Sequence, residues 1–164
     1  MLTLTRMESQ ADFSDFAKLV FDEPVMKMNM GRVFTQEEAE GYFAYIMDYT
    51  KLHSSSGCYK VFLVRDFIGI CFLWVRDGEA EVEYMLLPEH WNHGYATEIV
   101  GHLLALAKRH PQVQKVSGLT DPDNLPSQRV LIKNGFTFER NMPVEEDGST
   151  AAIFSIMMEP IQEV

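Results

Sequence analysis

The sequence predicts a mixed α/β fold, a mostly antiparallel sheet of about seven strands with about four flanking helices. Three observations carry that reading. Strand-like apolar runs joined by tight turn signals fill the middle of the chain, from Tyr59 to Leu87. Helical spacing interrupts the strands at irregular intervals rather than alternating with them, and an apolar strand at Met85–Leu87 runs through a short Gly-containing loop into a long helix. The 164 residues fit one domain spanning 1–164, and a chain of this length buries roughly 68–70% of its unfolded surface, enough for a core. No repeat or Pro/Gly/Ser-rich linker divides it.

Leu2 to Thr5 alternates apolar and polar residues and reads as a first strand. Ser9 with Asp12 resembles a capping box, after which Phe13, Phe16, Ala17 and Val20 recur at helical spacing; Glu23-Pro24 is expected to end that helix. Val25 to Val33, with Met26, Met28 and Met30, has no clean period and reads as a loop. Thr35 and Glu38 form a second capping box, opening a helix with Ala39, Phe43, Ile46 and Met47 on one face. It breaks at His53–Gly57.

Two strands follow, Tyr59–Arg65 and Phe67–Arg76, joined as a hairpin. After the Asp77-Gly78 turn, Ala80–Leu87 alternates, with Val82, Tyr84 and Leu86 on one face and Glu81, Glu83, Met85 and Leu87 on the other. A helix from about Gly94 to His110, a strand at Val113–Thr120 and a helix entered at Pro126 and stopped by Gly135 come next. Phe136–Arg140 and Ala151–Met158 close the sheet around the acidic turn Glu145–Gly148.

Charge narrows the function classes. Fourteen Lys+Arg against 24 Asp+Glu give −10, which disfavours nonspecific binding to nucleic acid or anionic membrane and suits a cationic or amine-bearing partner. Cys58 and Cys71 sit in apolar strand runs and read as reduced core thiols, without a disulfide framework. His53, His90 and His93 lack ligand-like spacing, so no metal site is expected. The start MLTLTRM has neither a basic segment nor an apolar stretch of signal length, and no run is long enough to span a membrane. The chain therefore reads as cytoplasmic and complete.

The junction from Met85 to Glu98 carries the chemistry. A strand–loop–helix turn presents unpaired N–H groups at the positive end of a helix dipole, a site for phosphate or pyrophosphate, and Gly94 and Ala96 lack bulk that would hold an anion away. The same glycine also serves ordinary packing. Neither G-x-x-x-x-G-K-[ST] nor G-x-G-x-x-G is present, which disfavours Walker-type NTPases and dinucleotide enzymes.

These residues resemble the GNAT superfamily of N-acetyltransferases, whose acetyl-CoA loop reads Q/R-x-x-G-x-G/A. Gly94 and Ala96 fill its last two places, while Trp91 stands where Gln or Arg is usual. The segment Trp91–Glu98 and the block Asn124–Phe136 are similar to the RimJ/RimL branch of protein N-terminal acetyltransferases. The resemblance is strongest from Ala80 to Arg140 and weak over Met1–Ser56.

It implies a GNAT fold and acetyl-CoA as co-substrate, without a metal. Backbone N–H groups of Asn92, His93, Gly94, Tyr95, Ala96 and Thr97 would hold the CoA pyrophosphate, and the main chain of Met85, Leu86 and Leu87 would pair with the pantetheine arm. Asn124 would bind nearby, unless it is only a helix cap. Many members place a proton-donating Tyr seven residues after that Asn; here Leu131 stands there, and Leu cannot donate. Ser127 would supply the hydroxyl instead, its plainer role being a first-turn Ser bonded to backbone. Glu81 or Glu83 would take the amine's proton, with a slight preference for Glu81; acids on an open strand face are otherwise simply solvated.

The implied reaction is acetyl transfer to a primary amine, foremost a protein N-terminal α-amine, by direct attack in a ternary complex. Polyamine or antibiotic acetylation, and a non-catalytic acyl-CoA sensor, are the alternatives. The resemblance places the acceptor near Val25–Val33 and Met142–Ser149, where Glu145, Glu146 and Asp147 would suit a cation. Monomer and homodimer are both compatible with the sequence.

Overall fold

The computed structural model describes residues 1–159. Its strands are β1 Leu2–Arg6, β2 Gly57–Leu63, β3 Asp66–Arg76, β4 Glu79–Leu86, β5 Lys115–Thr120, β6 Thr137–Pro143 and β7 Thr150–Met157. Its helices are α1 Phe13–Val20, α2 Glu23–Asn29, α3 Gln36–Leu52, α4 Tyr95–Ala107 and α5 Leu125–Lys133, with short 3-10 turns at Gln10–Asp12 and Pro88–His90.

The strands form one seven-stranded sheet in the order β1-β2-β3-β4-β5-β7-β6. Every neighbouring pair is antiparallel except β4 with β5. The expected α/β class and strand number hold, and the second capping box holds in detail: Thr35 Oγ1 accepts from the Glu38 N–H at 3.2 Å and Glu38 Oε2 from the Thr35 N–H at 2.8 Å.

One expectation fails. Glu23-Pro24 starts a helix instead of only ending one, so five helices flank the sheet and the expected loop at Val25–Val33 is largely α2. Asp22 Oδ1 accepts from the Val25 N–H at 3.0 Å, and proline fits a first helical turn, where no N–H partner is needed. Burial of Val25 and Met26 against the core supplies the rest.

Each face of the sheet buries its own apolar layer. On one, Ile99, Val100, Leu103 and Ala107 of α4 and Leu131 of α5 pack with Leu73, Val82, Leu86, Val116 and Phe154. On the other, Phe16, Leu19, Met26, Phe43 and Ile46 of α1–α3 pack with Cys58, Ile70 and Phe72. Alternation along β4, and along β3 from Ile70 onward, serves both layers at once, while a register shift opposite Val61 and Phe62 places Ile68 in the opposite layer from Ile70. Trp91 touches both, because it sits where the sheet opens.

Candidate active site

The opening lies between β4 and β5. These parallel strands pair only where Glu79, Ala80 and Glu81 meet Lys115, Val116 and Ser117, while β4 continues along β3 to Leu86. The Leu87 N–H bonds to the Ile68 carbonyl at 2.9 Å, which sets the phase of the antiparallel ladder. Main-chain groups of Met85 and Leu87 therefore face β3. Those of Tyr84, and the Leu86 N–H, face the gap. The Leu86 carbonyl is taken by Trp91, whose Nε1–H donates to it at 2.8 Å and ties the following loop to the strand end.

A cavity of about 550 Å³ runs along this free edge. Tyr84, Leu86, Ser127 and Val130 line it from one layer, and Met85, Val25 and Met28 from the other. It therefore reaches through the sheet, with a mouth on each face.

The loop before α4 turns through two left-handed residues, Asn92 at φ 60° and Gly94 at φ 81°. Asparagine tolerates that region and glycine adopts it freely. Gly94 caps α4 without a side chain, and the first helical bond of α4 runs from the Glu98 N–H to the Gly94 carbonyl. The N–H groups of Tyr95, Ala96 and Thr97 thus have no acceptor within the helix, and all three residues line the cavity. A Cβ at position 94 would meet no protein atom within 4 Å, so the glycine answers to its φ and to whatever approaches from outside.

Helix α5 forms the facing wall. Asn134 Nδ2 donates to the Thr97 carbonyl at 3.2 Å, fixing the end of α5 against the first turn of α4. Arg129 and Lys133, one turn apart on α5, place two cations on the wall of a chain that is otherwise strongly acidic. A free strand edge, unpartnered N–H groups at a helix start and two cations fit an elongated ligand bearing amides and phosphates.

Asn124 is the N-cap of α5, its Oδ1 accepting from the Ser127 N–H at 3.2 Å. The Ser127 hydroxyl has a different partner: Tyr84 Oη lies 3.0 Å from Ser127 Oγ. Leu131 is buried in the core, its side chain seated over Gly118, where an added Cβ would stand 2.8 Å from Leu131 Cδ2. A leucine there has no proton to donate.

Glu81 and Glu83 lie on the other face of β4, beneath α3, and are not the solvated acids an open strand face would carry. Burial, then the neighbouring Glu81 carboxyl, pushes Glu83 up to about 8, against the opposing influence of the Trp74 side chain. Burial also raises Glu81, against its hydrogen bond with Glu83 and the charge of Arg76. Glu81 sits at the last position paired with β5, in a separate cleft with Tyr45 and Trp74. Glu83 is the first acid beyond the split.

The cavity gathers Met85, Leu86, Asn92, Gly94, Tyr95, Ala96, Thr97, Asn124 and Ser127. Leu87, His93, Glu81 and Glu83 do not line it; Leu87 is directed to β3, and His93 is exposed and stacked on Tyr95 at 5.6 Å. Tyr84 and Arg129 join the lining without having stood out in the sequence. The spacing of Arg129 to Lys133 is a readable signal, whereas the Tyr84–Ser127 contact joins positions 43 apart. Glu145, Glu146 and Asp147 are exposed in a turn closed by the Val144 N–H on the Ser149 carbonyl, away from the cavity lining. The methionines divide: Met26 is core, Met28 lines the cavity and Met30 is exposed.

Among the described residues no group of three or more His, Cys, Asp or Glu is placed to hold a metal ion, and no helix is long and apolar enough to cross a membrane.

Comparison with known proteins agrees with this geometry. The chain is 31% identical over 72 residues to the uncharacterized N-acetyltransferase YoaA of Bacillus subtilis, covering 44% of this chain and 41% of that protein. Across the first curated relatives, it spans about half their length. Among solved structures, an acetyltransferase from Salmonella typhimurium that modifies the N-terminal serine of ribosomal protein L7/L12 superposes with TM-score 0.80 at 17% identity, over 96% of this chain and 95% of that one. Aminoglycoside acetyltransferase AAC(6')-Ib in complex with coenzyme A does so with TM-score 0.79 at 18% identity, over 96% and 95%. At such identities the likeness is one of fold. The model of the acetyltransferase (GNAT) domain matches residues 1–137, and the chain belongs to that family.

Proposed function

We propose that the protein transfers an acetyl group from acetyl-CoA to a primary amine, foremost a protein N-terminal α-amine of the kind handled by the RimJ/RimL branch. The observation that carries this reading is the split between β4 and β5, with a phosphate-suited loop on one face and a half-buried carboxyl pair on the other. Thioester and amine would enter from opposite mouths and meet at the gap, so that transfer is direct and neither buried cysteine is needed.

In this reading the main chain of Tyr84 and Leu86 holds the pantetheine arm, and the N–H groups from Asn92 to Thr97, with Arg129 and Lys133, hold the phosphates. Asn124 sets the start of α5, and Ser127 gives its proton to the departing sulfur. Glu83, rather than Glu81, accepts the amine's proton because it lies past the split. An α-ammonium ordinarily loses its proton at about 7.7–8.0 and a lysine at about 10.4. A carboxyl near 8 is matched to the first.

A second reading, a small polycationic amine as acceptor, is favoured by the cleft that Tyr45, Trp74 and Glu81 line beside the gap. Thiol release from acetyl-CoA separates the two. Peptides beginning with Ser, Ala or Thr are expected to support release, and release confined to spermidine or aminoglycosides moves the assignment to the second reading. Binding of acetyl-CoA with no release by any acceptor supports a sensor.

A further inference from the structure

The cavity wall keeps a phenol, supplied by a different element from the one where the sequence lacks it. Leu131 is 2% exposed and seated on Gly118, so its position belongs to the core. Tyr84 of β4 lines the cavity with its hydroxyl 3.0 Å from that of Ser127. A serine in a first helical turn commonly turns its hydroxyl onto nearby backbone. Ser127 bonds to Tyr84 instead, while its N–H is held by Asn124.

We propose that Tyr84 is the positioning residue of the Ser127 hydroxyl: the phenol donates to Ser127 Oγ, which leaves the serine's own proton free to point at the leaving sulfur. The inference rests on the reading of Ser127 as the acid. A phenol, ordinarily ionising at about 10, is a far stronger acid than an alkyl alcohol and so takes the donor role between the two. Burial raises Tyr84 further, against the Ser127 hydrogen bond, and keeps the phenol protonated at neutral pH.

The step balances. As the bond from amine nitrogen to acyl carbon is made and the carbon–sulfur bond breaks, sulfur leaves with the bonding pair and takes the Ser127 proton. Ser127 Oγ takes the phenolic proton along the existing hydrogen bond. Starting from the ammonium, nitrogen gives up two protons, one through Glu83 before attack and one to solvent as the amide forms; sulfur keeps one and the tyrosinate recovers one from solvent, so the transfer releases one proton overall.

The test is a cycle of Tyr84→Phe, Ser127→Ala and the double variant, read as kcat and as KM for acetyl-CoA, with Ser127→Thr as the variant that keeps the hydroxyl. Tyr84→Phe keeps the ring that packs on the core. It is expected to lower kcat by about 10–100-fold with KM within about twofold, to add nothing in the Ser127→Ala background, and Ser127→Thr to retain kcat within about threefold. An unchanged kcat in Tyr84→Phe, an equal loss in both backgrounds, or a loss confined to KM overturns the proposal while leaving Ser127 in place. An unchanged kcat in Ser127→Ala overturns the reading of Ser127 and the proposal with it.

Discussion

The two mouths of the gap are built from different materials. On the α4–α5 side the wall is largely main chain: a free strand edge, two left-handed loop residues and the unpartnered N–H groups that open α4. On the α2–α3 side the lining is side chain, Val25 and Met28 of α2, and the acids Glu81 and Glu83 of β4 lie outside that lining, with Trp74 of β3 and Tyr42 of α3 about them. A main-chain wall tolerates many side chains. A side-chain wall changes with each substitution.

Substitutions on either side separate binding from turnover. The largest effect is expected from Gly94→Val, which forces a β-branched residue into φ near 81° at the loop. Affinity for acetyl-CoA measured by calorimetry should fall by about 100-fold or more; a change under about threefold would remove the loop from the site. On the other side, Glu83→Gln should lower kcat by about 100-fold or more and leave acetyl-CoA affinity unchanged, and a variant that instead loses the affinity would merge the two regions. Smaller is Arg129→Ala, with an affinity loss of about 3–10-fold that shrinks at high salt, readable in the same titrations at two ionic strengths.

The smallest effect is on stability. A carboxyl raised to about 8 keeps its proton in the folded chain where the unfolded chain has lost it. Its contribution is therefore fully present below about 4.5, the ordinary carboxyl value, and is lost as pH rises towards 8. The melting temperature of Glu83→Gln relative to the parent chain should climb by a few degrees between pH 5 and pH 8. A difference that stays flat would mean that Glu83 ionises like an exposed acid.

The same contrast separates the features legible in the amino-acid sequence from those that only the folded chain reveals. The Thr35–Glu38 box, the Asp77-Gly78 turn and the Gly94 loop are local, and each lies where its signal places it. Pro24 misleads because a proline that ends one helix can sit in the first turn of the next, and only the burial of Val25 and Met26 decides between these outcomes. The acids of β4 are legible as a pair but not as a half-buried one, since the cover comes from α3, some 40 residues earlier in the chain. Tyr84 reads as core because alternation assigns a face and says nothing of what lies at the end of a ring.

That the half-buried Glu83 carboxylate takes the proton of the incoming amine is tested most directly by kcat against pH for two acceptors with different amine pKa values. The expected result is a kcat that rises with pH to a plateau, with an inflection near 8 shared by both acceptors and absent in Glu83→Gln. An inflection that follows the acceptor's own pKa, or that survives in Glu83→Gln, would contradict it.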